Sequence, residues 1–247
     1  MKRIYFIFLI AILLPLGLHS QTEKAAADSL YAAGKYEAAV KMYETLLEKG
    51  DNAYIYYNLG NAYYRMNDLA RAILNYERAA NREPGDSDIR FNLTLARSKT
   101  VDKIDNNEFF LTYWFHSFVN RTNADTWGKW AIILFFISLF LFIGYNFLNK
   151  LLFRKLCFYG FCVGLLFVIL FNVFAYAQKQ EYMDKNHAIV MGKSQVFSTP
   201  AESGTALFTL HEGTKVEITD NTMKKWMEIE LSDGKTGWIK VSDIEII

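Results

Sequence analysis

The side chains that most often carry catalysis are scattered along the 247-residue chain. His116, His187 and His211 fall in three different segments, without the spacing of a metal-binding or catalytic set. Asp102 and Asp105 are close together, but they end a polar helical stretch where we expect solvated carboxylates. No glycine-rich phosphate loop follows a strand pattern, and no serine lies in a nucleophile elbow. We therefore expect no enzyme activity, no metal site and no cofactor, and we expect the function to reside in binding surfaces.

Two long apolar blocks predict transmembrane helices. Residues 130–148 and 156–177 contain no charged side chain, and about 20 apolar residues suffice to cross a hydrocarbon core of about 30 Å. The segment between them, residues 149–155, contains two lysines and one arginine, and short loops rich in Lys and Arg stay cytoplasmic. We therefore predict a two-pass protein with this loop in the cytoplasm and both flanking parts outside it. The alternative is a buried helical hairpin in a soluble protein.

Residues 1–20 have the layout of a secretory signal peptide, with a basic start, an apolar run and a small polar end. We predict cleavage after Ser20; the alternative is an uncleaved membrane anchor. The two cysteines, Cys157 and Cys162, lie in the second predicted span, so the exported parts have no disulfide framework. A net charge of +1 gives no electrostatic basis for nucleic-acid binding.

A glycine stands in the middle of a helical, tyrosine-rich stretch, YYNLGNAYYRM. Because a glycine within a helix costs roughly 1 kcal/mol relative to alanine, Gly60 needs a structural reason. The residues around it follow the pattern W-x2-L-G-x2-Y…A-x3-F…P, with Tyr in place of Trp and Phe. They are Tyr56, Leu59, Gly60, Tyr63, Ala72, Tyr76, Ala79 and Pro84. Over residues 53–86 the chain thus closely resembles a tetratricopeptide repeat, which implies two antiparallel helices whose backbones approach at Gly60, facing small alanine surfaces.

One repeat cannot bury its own apolar face, and weaker copies flank this one. Upstream, residues 21–52 form a degenerate first repeat, with Ala39 and Tyr43 at the equivalent packing positions. Downstream, the segment SDIRFNLTLARSKTVDK has Leu93 at the leucine position but no second helix, which is typical of a capping helix. We therefore predict a small all-α solenoid over residues 21–100.

Solenoids of this family bind peptides in the concave face formed by the first helix of each repeat, and the resemblance implies such a groove here. The candidate peptide-binding residues are Tyr57, Asn58, Asn61, Tyr64, Arg65 and Asn92. Side-chain amides can hydrogen-bond an extended peptide backbone, and tyrosines add apolar area with a polar tip. The alternative is a solvated, tyrosine-rich helix face.

Some chaperone-binding relatives clamp a C-terminal carboxylate with two lysines, an arginine and two asparagines. Only Lys24 and Asn58 match those positions here, and Asp28, Asp88 and Asn92 occupy the others. Because two carboxylates would repel an acidic tail, we do not expect this groove to bind acidic C-termini.

Residues 101–129 connect the solenoid to the first predicted span and contain an aromatic stretch, EFFLTYWFHSF. One interpretation is an amphipathic segment at the outer membrane–water boundary, where Trp and Tyr concentrate. The alternative is a segment that packs under the solenoid.

After a polar linker, residues 178–186, the sequence changes to the alternation of β-strands, with turn signals at Glu212-Gly213 and Asp233-Gly234. Residues 187–247 resemble bacterial SH3-like domains, which implies a small all-β barrel, here of about five strands. The matching residues are Leu210, Gly213, Val216, Trp226, Gly234, Gly237 and Trp238. Bacterial relatives are often linked to cell-wall peptides, so the resemblance implies peptidoglycan as a possible ligand. The alternative is a barrel that only docks on its own protein.

The whole order predicts a multidomain membrane protein: signal peptide, all-α tetratricopeptide-repeat solenoid, transmembrane helical hairpin and SH3-like barrel. This order, and the passage FNLTLARSKTVDKID…EFF, resemble BatE-type aerotolerance-operon proteins. Relatives of that type are encoded beside a MoxR-type ATPase and membrane proteins with von Willebrand factor A domains. The resemblance implies a bacterial inner-membrane scaffold with both large domains periplasmic, which binds other membrane or periplasmic proteins and supports aerotolerance or stress tolerance. The alternative is a cell-wall-binding or sensing membrane protein, although the short cytoplasmic loop offers no output domain.

Overall fold

A computed structural model describes residues 22–104, 109–183 and 186–247. The predicted signal segment and its cleavage site lie outside the described residues. The chain folds into two compact units. The first contains the described residues up to 80, together with 87–104 and 186–247, and the second contains residues 81–86 and 109–183.

The N-terminal part of the first unit is two helical hairpins followed by a single helix. The helices are α1 (22–32), α2 (Tyr36–Lys49), α3 (Ala53–Arg65), α4 (Leu69–Arg82) and α5 (Ser87–Ser98). Asn52 caps α3 by accepting the backbone N–H of Tyr54 at 2.8 Å. Asp68 caps α4 by accepting the backbone N–H of Arg71 at 3.0 Å. The turn before α4 contains Asn67 with a positive φ of 60°, a conformation that asparagine tolerates better than most residues.

The ring of Tyr76, from α4, lies directly against Gly60. A Cβ at Gly60 would lie 2.6 Å from Cδ1 and Cε1 of Tyr76, which is closer than real Cβ atoms approach another atom. An aromatic ring of α4 therefore makes the nearest contact at Gly60, and the close approach of the α4 backbone stays a prediction. Ala72 and Ala79 are fully buried, as small residues at a helix contact should be.

The repeat-packing positions are mostly buried. Leu59, Tyr63 and Tyr76 are at most 8% exposed, and they belong to one apolar core with Ala27 of α1. Tyr56 is only half-buried and lies with its ring 6.0 Å from the guanidinium of Arg78. Its neighbour Ile55, which the repeat pattern does not single out, is buried instead. Pro84 is half-buried just beyond the end of α4.

The C-terminal part of the first unit is one antiparallel sheet of seven strands, not the five that the sequence predicts. The strands are β1 (His187–Val190), β2 (Ser194–Phe197), β3 (Ala206–Leu210), β4 (Lys215–Asp220), β5 (Trp226–Glu230), β6 (Thr236–Lys240) and β7 (Ile244–Ile246). Their order is β3-β2-β6-β5-β4-β1-β7. The edge strands β3 and β7 are not paired with each other, so a closed barrel is not confirmed. Both predicted glycine turns are present, with φ of 83° at Gly213 and 84° at Gly234.

The second unit contains three helices, α6 (Phe110–Val119), α7 (Ala124–Phe147) and α8 (Leu151–Met183). By length and apolar composition alone, α7 and α8 could each cross a membrane. They pack against each other, and Ser138 on α7 is buried against Gly164 on α8. Most of their large apolar side chains face outward, unlike the core helices of a soluble protein.

Candidate functional site

A cavity of about 390 Å³ opens on the repeats, and it is lined by side chains of α1, α3, α4 and α5. Its lining residues are Tyr31, Tyr57, Asn61, Tyr64, Arg65, Tyr76, Asn92 and Leu95. Five of the six candidate residues from the sequence thus lie around one cavity. Asn58 does not, because it faces the hydroxyl of Tyr54 one turn earlier on α3. Whether these residues bind a peptide stays a prediction.

Three lining residues were not among the sequence candidates. Tyr31 belongs to the degenerate first repeat, and Leu95 lies one turn beyond Asn92 on α5. Tyr76 was assigned only to packing, but its hydroxyl reaches the cavity from α4. The helical spacing from Asn92 could have indicated Leu95, since residues three apart share a helix face.

The cavity floor is fixed by one hydrogen-bond network that joins α3, α4 and α5. The amide nitrogen Nδ2 of Asn92 donates to the hydroxyl of Tyr57 at 3.0 Å and to Oδ1 of Asn61 at 2.9 Å. The hydroxyl of Tyr76 also donates to Oδ1 of Asn61, at 2.7 Å. These bonds use neither Nδ2 of Asn61 nor Oδ1 of Asn92. Among the described residues these two amide atoms have no side-chain partner, and such a donor and acceptor are the groups that pair with a peptide backbone.

The charge around the cavity is positive. Arg65 is exposed at the rim, where a hydrogen bond from its guanidinium to Tyr31 raises the pKa of Arg65. Lys99 lies near the same rim, with Nζ 4.4 Å from the ring centre of Tyr64. No carboxylate is among the lining residues that the structure describes.

Neither Asp28 nor Asp88, the two carboxylates expected to repel an acidic tail, lines this cavity. Asp28 lies outside it and accepts hydrogen bonds from the hydroxyls of Tyr43 and Tyr54, each at 2.7 Å. Burial, and then the hydrogen bond to Asp28, raise the pKa of Tyr43. Asp28 therefore ties α1 to α2 and α3, and its charge does not face a ligand in the cavity.

A second arrangement of charges lies where the sheet packs on the repeats. Glu77 of α4 is 3% exposed and lies between Arg97 of α5 and Lys215 of β4. Nζ of Lys215 is 3.3 Å from Oε2 of Glu77, and Arg97 hydrogen-bonds Oε1. Burial by itself raises the pKa of Glu77, but Lys215 and Arg97 outweigh burial and lower that pKa to about 2. Glu77 is therefore a buried anion held by cations from both domains.

Asp102 makes a second polar tie at the same interface. Its Oδ2 accepts the backbone N–H of His211 and the hydroxyl of Thr214, each at 2.7 Å, and its Oδ1 is 2.9 Å from Nδ1 of His211. Burial raises the pKa of Asp102, but these donors outweigh it and lower that pKa below its usual value. The expectation of a solvated carboxylate here is wrong, because its partners lie more than 100 residues away in sequence.

Apolar packing completes the interface. In β1 the side chains alternate, so Ala188 and Val190 lie in the core of the sheet while Ile189 is fully buried in the core of the repeats. Gly213 passes over α4 so closely that a Cβ there would lie 2.7 Å from Cδ1 of Ile73. The guanidinium of Arg78 donates to the backbone oxygen of Ile246 at 2.7 Å. The two domains of this unit are therefore docked.

His116, His187 and His211 do not contact one another. His116 lies on α6, His187 begins β1, and His211 contacts Asp102. Among the described residues, no group of three or more His, Cys, Asp or Glu side chains is placed to hold a metal ion.

Comparison with known families supports both domains. The family described as Tetratricopeptide repeat matches residues 24–93, and the family described as Bacterial SH3 domain matches residues 194–245. No curated protein matches the chain. The chain therefore contains tetratricopeptide repeats and a bacterial SH3 domain, modules of the kinds that bind proteins or the cell wall.

Proposed function

We propose that this protein is a non-enzymatic scaffold of the bacterial inner membrane that holds a partner peptide in the groove of its repeats. The observation that carries the proposal is the cavity lined by Tyr57, Asn61 and Asn92. Its free donor and acceptor match the N–H and C=O groups of an extended peptide, and its tyrosines supply apolar contact area. Because the asparagines are already bonded to one another, little side-chain entropy is lost when a ligand binds.

The ligand that fits best is a neutral or acidic extended segment. Arg65 and Lys99 lie at the rim, and charge complementarity there would favour a carboxylate in the partner. The partner is a segment of another membrane or periplasmic protein.

The docking of the SH3 domain on the repeats supports the proposed two-pass topology. Residues 22–104 precede α7 and α8, residues 186–247 follow them, and the two segments pack as one unit. Segments that pack together lie on the same side of the membrane. The chain between them must therefore cross the membrane an even number of times. Two spans satisfy this requirement, and the basic residues of the 149–155 loop favour a periplasmic location for the packed unit.

We further propose that the scaffold acts in a Bat-type complex that supports aerotolerance or stress tolerance, with von Willebrand factor A-domain membrane proteins as partners. The support for this proposal is the order of the domains and the resemblance of the passage into the first span. The groove is the surface through which such a partner would be recruited.

Capture of partners from membranes tests the groove. The full chain in mild detergent is crosslinked to its neighbours and compared with a variant carrying Tyr64→Ala and Arg65→Ala, two side chains at the cavity that are not buried. The matched control is Asn58→Ala, on the same helix but outside the cavity. We expect a von Willebrand factor A-domain protein to be captured by the native chain and the control, and lost from the groove variant. Equal capture by all three would refute groove binding.

A second candidate function is binding of peptidoglycan by the SH3 domain. The docking contacts involve β1, β7 and the turn into β4, whereas β2, β3 and β6 lie at the other end of the sheet order. There Phe197 packs edge-on against Trp226 at 5.5 Å, and Leu207 is about half exposed. The full chain in detergent should then co-sediment with purified peptidoglycan, and failure to co-sediment would eliminate this function.

A further inference from the structure

Helix α6 carries large apolar side chains around most of its circumference. It has ten residues and no Lys, Arg, Asp or Glu. The side chains of Phe110, Leu111, Tyr113 and Trp114 are each 59–71% exposed. Contiguous apolar surface of this kind is uncommon on a part of a protein that faces only water, and it normally marks a contact with a membrane or a partner.

The C-terminal end of α6 is fixed to the two long helices by aromatic rings. Phe115 and Phe118 each lie 5.8 Å from Phe174 of α8, between ring centres. Phe118 is also 5.9 Å from Trp127 of α7, and the indole N–H of Trp127 donates to the backbone oxygen of Val119 at 3.0 Å. The helix is therefore held in a defined place at one end of the hairpin.

The turn after α6 is also tied to α8, at the point where α8 changes from apolar to polar. Gln178 is 5% exposed, and its Nε2 donates to the backbone oxygen of Thr122 at 2.8 Å and to Oδ1 of Asn120 at 3.0 Å. The residues before Gln178 are apolar, and Lys179 and Gln180 follow it. If α8 crosses a bilayer, Gln178 lies close to the depth at which it leaves the hydrocarbon.

We propose that α6 lies in the interfacial layer of the outer leaflet, with Phe110, Leu111 and Trp114 at the boundary between lipid headgroups and acyl chains. The proposal rests on the proposed membrane insertion of α7 and α8. The occupant is lipid because α6 packs on Phe174 of α8, a helix whose other large apolar side chains mostly face outward, and because α6 carries no Lys, Arg, Asp or Glu for a protein partner to recognise. The indole N–H of Trp114 and the hydroxyl of Tyr113 suit this layer, where amphipathic aromatic rings concentrate.

Spin-label accessibility in the full chain tests the proposal. In a background with Cys157→Ala and Cys162→Ala, a nitroxide is attached at Leu111→Cys or Trp114→Cys, and the protein is placed in vesicles of phosphatidylethanolamine and phosphatidylglycerol. The references are Phe136→Cys, exposed near the middle of α7, and Ser203→Cys, exposed on the SH3 domain. Collision rates with oxygen and with a water-soluble nickel chelate give the depth of each label.

We expect labels at 111 and 114 to lie about 5–10 Å inside the headgroup layer, shallower than the label at 136. Labels on α6 that are as accessible to nickel as Ser203→Cys, beside a deep label at 136, would overturn the interfacial helix while leaving the membrane spans intact. Labels on α6 that are shielded from both reagents would also overturn it, because a protein surface would then cover the helix. A label at 136 that is accessible to nickel would overturn membrane insertion and this inference together.

Discussion

The substitution Lys215→Met should weaken the docking of the SH3 domain on the repeats. Lys215 supplies one of the two cations around the carboxylate of Glu77, and methionine keeps most of its length while removing the charge. Removing one partner of a buried ion pair costs about 3–5 kcal/mol when nothing else holds the remaining charge. Here Arg97 still holds Glu77, and the side chain of Lys215 is 36% exposed. We therefore expect a smaller loss in the free energy of unfolding, about 1–3 kcal/mol at pH 7.

The same interaction predicts how the effect depends on pH. The pKa of Glu77 falls from 4.5 to about 2 on folding, and each pKa unit is worth 1.36 kcal/mol, so ionised Glu77 contributes about 3 kcal/mol to stability. Because the folded pKa is the lower one, this contribution is complete above pH 4.5 and is lost as the pH falls through about 2. The difference between Lys215→Met and the native chain should therefore be largest near neutral pH. It should shrink as the pH falls through about 2, because Glu77 then becomes protonated in both proteins.

The assay is urea unfolding of the full chain in mild detergent, followed by tryptophan fluorescence at several pH values. The matched control is Lys235→Met, since Lys235 pairs with Asp233 on an exposed turn and its side chain is 63% exposed. Such exposed pairs contribute little, so the control should unfold almost as the native chain does. Equal effects of Lys215→Met and Lys235→Met, or an effect of Lys215→Met that does not diminish in acid, would contradict the role of Lys215 at Glu77.

Two further substitutions test the close contacts. Gly60→Ala should destabilise the repeats by about 1–3 kcal/mol, because the new methyl group would overlap the ring of Tyr76. The control is Gly50→Ala, where the space around the new methyl group is open and no overlap results. Thermal melts followed by circular dichroism measure both, and an unchanged melt for Gly60→Ala would contradict the contact. Asp102→Asn removes the charge and one acceptor that His211 and its neighbours use, so we expect a loss of about 1–2 kcal/mol. Hydrogen exchange should then quicken at the amide of His211, and unchanged protection there would argue against the tie.

Local patterns in the sequence predict the repeats well, because helix hairpins are set by residues close together along the chain. The spacing around Gly60 identifies the best repeat, and the helical period brings Asn61 and Asn92 towards one surface. The same spacing misplaces Asn58, since a single helix turn separates the cavity from the surface beside Tyr54. Periodicity alone does not resolve a displacement of one turn along the same helix face.

The docked interface could not be predicted in the same way. Asp102 and His211 are 109 residues apart, and Glu77 and Lys215 are 138 residues apart, with both long apolar helices between them. A single sequence carries no signal for contacts between such distant residues. Its local pattern therefore predicts a solvated carboxylate at Asp102 and an ordinary helix residue at Glu77. The two additional strands were missed because a strand of three or four residues, such as β7, is too short to show an alternating pattern.

Photo-crosslinking in cells from the groove itself would show whether a partner peptide lies there. A photoreactive phenylalanine analogue replaces Tyr64 in the full chain, and the crosslinked peptide is identified by mass spectrometry; the same analogue at Asn58 is the control. We expect a crosslink from position 64 to an extended periplasmic segment of a membrane protein, absent from position 58. No crosslink from position 64, or the same crosslinks from both positions, would contradict a groove that holds a partner peptide.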